Sequence, residues 1–157
     1  MSTIKVDTLQ TRAGSTAAVT GAGFVATDQI RGNTSAGSTT VVGEGGTNTT
    51  NLQQGLCKAW IHLTGSGTPA AADSFNVASI TDTATGRYTI NIATDFGNAN
   101  YTCAGMSGND GTTTGDRGQV IDLTPTAGAF ALRNIDTDST NPVDDTNILL
   151  NFHGDLA

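Results

Sequence analysis

Charge is what this chain has least of. Only 13% of its 157 residues are Asp, Glu, Lys or Arg, with one glutamate, Glu44, and two lysines, Lys5 and Lys58. The seven basic residues stand singly and form no patch. A nucleic-acid backbone is gripped by clustered Lys and Arg, so the pattern argues against DNA or RNA as a partner. It argues against an anionic bilayer surface for the same reason. Long apolar runs are also missing. None approaches the ~20 residues that span a membrane, so no membrane insertion is expected. The opening MSTIKVDTLQTRAG has no apolar h-region, which argues against a secretory signal and for assembly in a cytoplasm.

Cysteine is nearly absent too. Cys57 and Cys103 are far apart, with no CxxC or Cys/His spacing of a metal site. A pairing between them stays open, but two buried free thiols are the favoured reading. Aromatics are 5% and hydrophobic residues 36%, enough for one modest core and no more. What fills the chain instead is Thr, Gly, Ser and Asn. Strong helix formers are scarce, while Thr, Val and Ile suit a pleated surface, so the expectation is all-β with many turns.

The clearest signal lies between Lys58 and Tyr101. Ala59, Ile61 and Leu63 alternate with Trp60 and His62, and Tyr88, Ile90 and Ile92 alternate with Thr89 and Asn91. Phe75 and Val77 are read as sharing a face of one further run. A period of two is the mark of half-buried strands. The link Asp82–Arg87, with Gly86 in it, predicts an antiparallel hairpin. Further strands are expected over 101–106, 119–123, 129–135 and 147–153. Seven strands in such a length fit a sandwich, and the predicted fold is a jelly-roll-like antiparallel β-sandwich head over 51–157. Before it, Leu52 and Leu56 are placed at i and i+4 on one face of a short helix within 50–57, capped by Thr50 or Asn51.

The front third is different. Residues 1–50 carry apolar residues only in small groups, such as Val41–Val42, amid Gly, Thr and Ser. Ile4, Val6 and Leu9 form an alternating piece with no local partner, expected to dock on another chain, with a disordered tail as the plainer reading. The rest is either a flexible linker or, as favoured, a short β-rich shaft whose apolar pairs meet on a symmetry axis.

The runs LQQGLCKAWIHLTGSGT, DSFNVASITDTATGRYTINIATDF and NANYTCAG together resemble the C-terminal head domain of tail-fibre-like proteins of marine and cyanobacterial tailed phages. The likeness covers about Leu52 to Gly105, and STIKVDTLQTRAG is similar to the leader of such appendage proteins. The resemblance implies a homotrimeric virion protein, attached to the particle by its N-terminus and facing the host surface with its head. Two departures matter: the chain is short for a long fibre, and Pro69–Ala72 replaces a more polar link. A capsid decoration or cement protein is the first alternative, and a carbohydrate-binding or hydrolytic β-sandwich the second.

Catalysis finds little support. His62 and His153 are expected on separate strands without a GxSxG elbow, and Cys57 lacks an activating context. No cofactor is expected. Asp136, Asp138 and Thr140 place oxygens at the first, third and fifth positions of a calcium loop, but Asn141 and Asn147 stand where Gly and a bidentate acid belong. A solvated acidic loop is the favoured reading. Trp60 either stacks on a sugar or packs at a trimer interface with Leu52 and Leu56, and packing is favoured. Receptor contacts are expected from loops, at Asn109, Asp110 and Thr112 and at Asp138 and Asn141.

Overall fold

The computed structural model describes residues 39–108 and 116–157, which belong to one compact unit. Among the described residues two short strands, β1 (Thr40–Val42) and β2 (Thr49–Asn51), pair only with each other, and one helical turn, α1 (Leu52–Gly55), follows. Then come β3 (Ala59–Thr64), β4 (Ala70–Phe75), β5 (Val77–Ala84), β6 (Arg87–Ile92), β7 (Thr102–Gly108), β8 (Arg117–Ile121), β9 (Ala129–Asp136) and β10 (Asn147–His153). They make two antiparallel four-stranded sheets, ordered β4-β3-β10-β7 and β5-β6-β9-β8.

The core lies between these sheets and comes from the alternation. Ala59, Ile61 and Leu63 on β3 and Ile148, Leu150 and Phe152 on β10 face Tyr88, Ile90 and Ile92 on β6 and Phe130 and Leu132 on β9. Fully burying one such large side chain stabilises the fold by about 1.5–3 kcal/mol. Phe130 and Phe152 meet edge-to-face across the layers at 5.4 Å, and Phe96 stacks on Tyr101 at 4.2 Å beside them. The fold is therefore all-β, with two packed antiparallel sheets.

Three expectations fail locally. Phe75 and Val77 do not share a face: Phe75 ends β4 in one sheet and Val77 begins β5 in the other. The pivot is Asn76, at φ 57. Asn tolerates this left-handed conformation better than most residues. Its side chain fixes the crossing, donating to the carbonyls of Lys58 and Thr94 (3.1 Å each) and accepting from the Thr94 amide at 2.7 Å. The second failure follows from the first. Ala70–Ala72, read as part of a link, opens the exposed edge strand β4, so the head has eight strands rather than seven. Third, α1 stops at Gly55 and Leu56 is already extended (φ −90, ψ 140), so Leu52 and Leu56 share no helical face. The cap is as expected, with Asn51 accepting from the Gln54 amide at 3.1 Å.

The β5–β6 hairpin forms at the expected place and turns on Gly86, at φ 64. A Cβ there would lie 2.5 Å from the Val143 nitrogen and 2.6 Å from the Asn134 carbonyl oxygen. Backbone cannot give way as a flexible side chain does. Gly86→Ala is expected to destabilise the head by more than the ~1 kcal/mol typical of a glycine turn alone. A urea denaturation midpoint within error of the parent would refute this.

Candidate functional site

The two sheets differ on their outer faces. On the β5-β6-β9-β8 sheet several outward residues are polar and bond one another, although Ile121 at the end of β8 and Leu123 just after it are exposed as well. Asn91 donates to the hydroxyls of Ser79 (3.0 Å) and Thr81 (3.1 Å), and Arg87 bonds Asp122 at 2.8 Å. On the β4-β3-β10-β7 sheet the outward residues include a contiguous apolar group. The pairing sets Trp60 opposite Phe75 and Leu149 opposite Met106. Phe75 is 53% exposed, Trp60 37%, Leu149 44% and Met106 70%. Together with Ala104 and Cys57, the last three line a groove of about 680 Å³. Its polar margin is His62, whose ring Nε2 lies 3.0 Å from Asn147 Oδ1, and Asn151. Contiguous apolar surface of this kind marks an interaction site more often than a bare surface.

Leu149 was legible in principle. It stands at an outward position between Ile148 and Leu150, so alternation alone puts an apolar side chain in solvent. Phe75 and Met106 were not, because their strands have no clean alternation. Trp60 opposes Ile61 as read from the sequence and lies on this face. Leu56 is exposed, and Leu52 is half-buried at the start of the helical turn.

α1 is fixed to the head at the groove's end. Lys58, almost wholly buried, points its ammonium at the carbonyls of Gln53 and Leu56, where the end of the helical turn carries partial negative charge. Gln54 bonds Asp155 at 2.6 Å.

The opposite margin of the sandwich holds a polar cluster. Asp145, 2% exposed, receives Arg117 Nε on both oxygens (3.0 and 2.9 Å) and Asn134 Nδ2 at 2.7 Å. Tyr88 donates its hydroxyl proton to Asp144 at 2.5 Å, and the Gly86 amide donates to the same oxygen. Burial, with Asp144 beside it, raises the Tyr88 phenol far above its ordinary value, so it stays protonated and serves neither as base nor as nucleophile.

The calcium-loop residues are engaged within their own loop. Asp136 Oδ1 accepts from the amides of Asp138 (3.0 Å) and Ser139 (3.2 Å), Oδ2 faces Arg117 at 3.3 Å, and the Thr140 hydroxyl donates to the Ser139 carbonyl. Among the described residues no three His, Cys, Asp or Glu side chains gather to hold a metal ion. Asp138 and Asn141 are exposed at the tip of this loop. Asn109, Asp110 and Thr112 lie outside the described residues, as do Ile4, Val6 and Leu9. Both cysteines are free. Burial pushes the Cys103 thiol up to about 12, which leaves it a poor nucleophile at neutral pH.

No protein-family model, curated protein or solved structure matches this chain.

Tyr88, Tyr101 and Cys103 all hold their protons more tightly folded than unfolded, Tyr101 with a value of about 12. Their contribution is whole below the unfolded values and is lost as pH rises, because the unfolded state then releases protons the folded state keeps. Stability is expected to fall from about pH 9 for the thiol and about pH 10 for the phenols. Cys103→Ala should delay the onset to the phenol range. Denaturation midpoints that stay flat from pH 8 to about pH 11 would contradict this.

Proposed function

We propose that this chain is a non-enzymatic structural protein of a tailed-phage virion: a short trimeric tail fibre or fibre-like appendage. In this reading the head is a jelly-roll-like sandwich, its first strand β3 lying beside its last, β10, and β6 beside β9. Residues 1–50 form a docking arm and a short shaft, with Ile4, Val6 and Leu9 as the contact to the particle, and the head projects outward. Three heads held on one stem present weak loop sites together, so attachment gains from high effective concentration rather than from one strong site. Closed cyclic symmetry suits such a stem.

The observation that carries the reading is the apolar outer face of the β4-β3-β10-β7 sheet. A small head with its only tryptophan half in solvent, opposite Phe75 and near Leu149, fits a subunit whose neighbour covers that face. A catalytic reading gains nothing comparable, since the buried acid Asp145 is paired with Arg117 and Asn134, and the exposed Asp144 with Tyr88. One observation favours a second reading. Trp60 beside His62 and Asn151 is an aromatic-plus-polar arrangement of the kind that stacks on a sugar, and in that reading the groove is the glycan site.

Purified protein is expected to scatter light as three copies of its 15.9 kDa chain. Leu149→Asp should weaken that assembly at least tenfold while the melting of the head changes little, because the residue faces outward. A parent protein that stays monomeric at all concentrations would end the trimeric reading. Labelling on intact particles should find it at the tail, and labelling over the whole shell would favour the decoration role.

A further inference from the structure

The β1–β2 hairpin presents a problem that the head does not solve. It pairs with no other strand among the described residues, and both of its valines are more than half exposed, Val41 at 52% and Val42 at 57%. An isolated two-stranded hairpin is marginal in water at best. Neighbouring residues on a strand point to opposite faces, so Val41 and Val42 need cover on two sides. The head has the converse problem, an apolar groove that lies open among the described residues. The two lie close in sequence: the hairpin runs through α1 into Cys57, which lines that groove.

We infer that the groove is filled by a second copy of this chain, whose β1–β2 hairpin lies along Trp60, Leu149 and Met106. The contact is heterologous, hairpin of one copy to groove of the next. Such contacts close into a ring when the rotation allows. A ring covers both hairpin faces, one valine meeting the neighbour's groove and the other meeting the remaining hairpins at the axis. A two-fold, groove-to-groove dimer would cover the sheet and leave the valines wet. Complementarity also favours this occupant, since the paired segments β1 and β2, TVV and TTN, carry no charge that the groove would have to desolvate. The inference rests on the trimeric reading above and adds which surfaces meet.

The test uses two variants of the full chain. Leu149→Asp has an intact hairpin and a spoiled groove, while Val41→Asp/Val42→Asp has the reverse. Each alone is expected to sediment as a monomer with the head's parental thermal melt, and an equal mixture to give a one-to-one pair, because one intact hairpin then meets one intact groove. As a second measurement, a benzophenone amino acid at position 42 in a mixture of ¹⁵N-labelled and unlabelled parent protein should cross-link between copies, to peptides of β3, β7 or β10. If the parent is trimeric but the valine variant stays trimeric, or the cross-links fall within one copy, the hairpin–groove contact is wrong and the trimer stands. If the variants are monomers and their mixture stays monomeric, the contact is again wrong. A monomeric parent would remove both.

Discussion

A carboxylate taken almost wholly out of water has to be paired, and in this head that carboxylate is Asp145. Idealised desolvation of an ion is of order 20 kcal/mol, and several kcal/mol survive relaxation, so an uncompensated charge there would not be tolerated. Arg117 supplies the charge from β8, and Asn134 adds an amide donor from β9. The chain leading into β10 is thereby pulled against the β5-β6-β9-β8 sheet. Its main chain is tied to the other sheet as well, through the Gly65 amide on the Asp145 carbonyl at 2.8 Å. One buried acid thus joins both layers at the margin where the apolar core thins out. Asp144, itself exposed, adds a second tie by receiving the buried Tyr88 hydroxyl and the amide of the turn glycine Gly86. The pairing need not add net stability over an apolar equivalent. What it fixes is where the 136–146 loop and the start of β10 must lie.

That cluster also shows what a sequence conceals. Asp136, Asp138, Asp144 and Asp145 read as a possible cation loop because spacing displays carboxylates and not their partners. Arg117 is distant in sequence and arrives only when β8 pairs with β9. Asn76 was hidden for a different reason. Period-two counting registers which residues are apolar, and a single left-handed asparagine leaves that count unchanged while sending the next strand to the other sheet. The strands of the inner core were legible because their alternation is strict: β3, β6 and β10 appear with nearly the bounds their patterns predict. The edge strand β4 was not. Its Ala-rich start is exposed on both faces, so neither burial nor alternation marks it.

The two outer faces divide the head's labour. Asn91, Ser79 and Thr81 bond one another, so the β5–β6 part of its sheet is satisfied as a surface, while Ile121 and Leu123 at the β8 edge are exposed. The other sheet differs. Its outward row places Phe75, Trp60, Leu149 and Met106 in solvent, next to a lysine-anchored helical turn that connects back to the hairpin. This contrast is chemical rather than compositional. Both sheets come from the same Thr-rich sequence, and only the pairing register decides which side chains gather on which face.

A chain with one tryptophan and few other aromatics has little bulk to build an interior from. If the head functioned alone, its largest residues would be expected inside, because burial of such side chains is the main favourable term available. Tyr88, Phe96 and Phe152 obey this, but Trp60, Phe75, Met106 and Leu149 lie outside, as do both hairpin valines. The low charge sharpens the point. A monomer exposing that much apolar surface ordinarily offsets it with a strongly charged remainder, and this chain has few charges to offer. The distribution is the physical argument behind the proposal of an assembled appendage, in which a neighbouring copy would cover these side chains, over a solitary binding module.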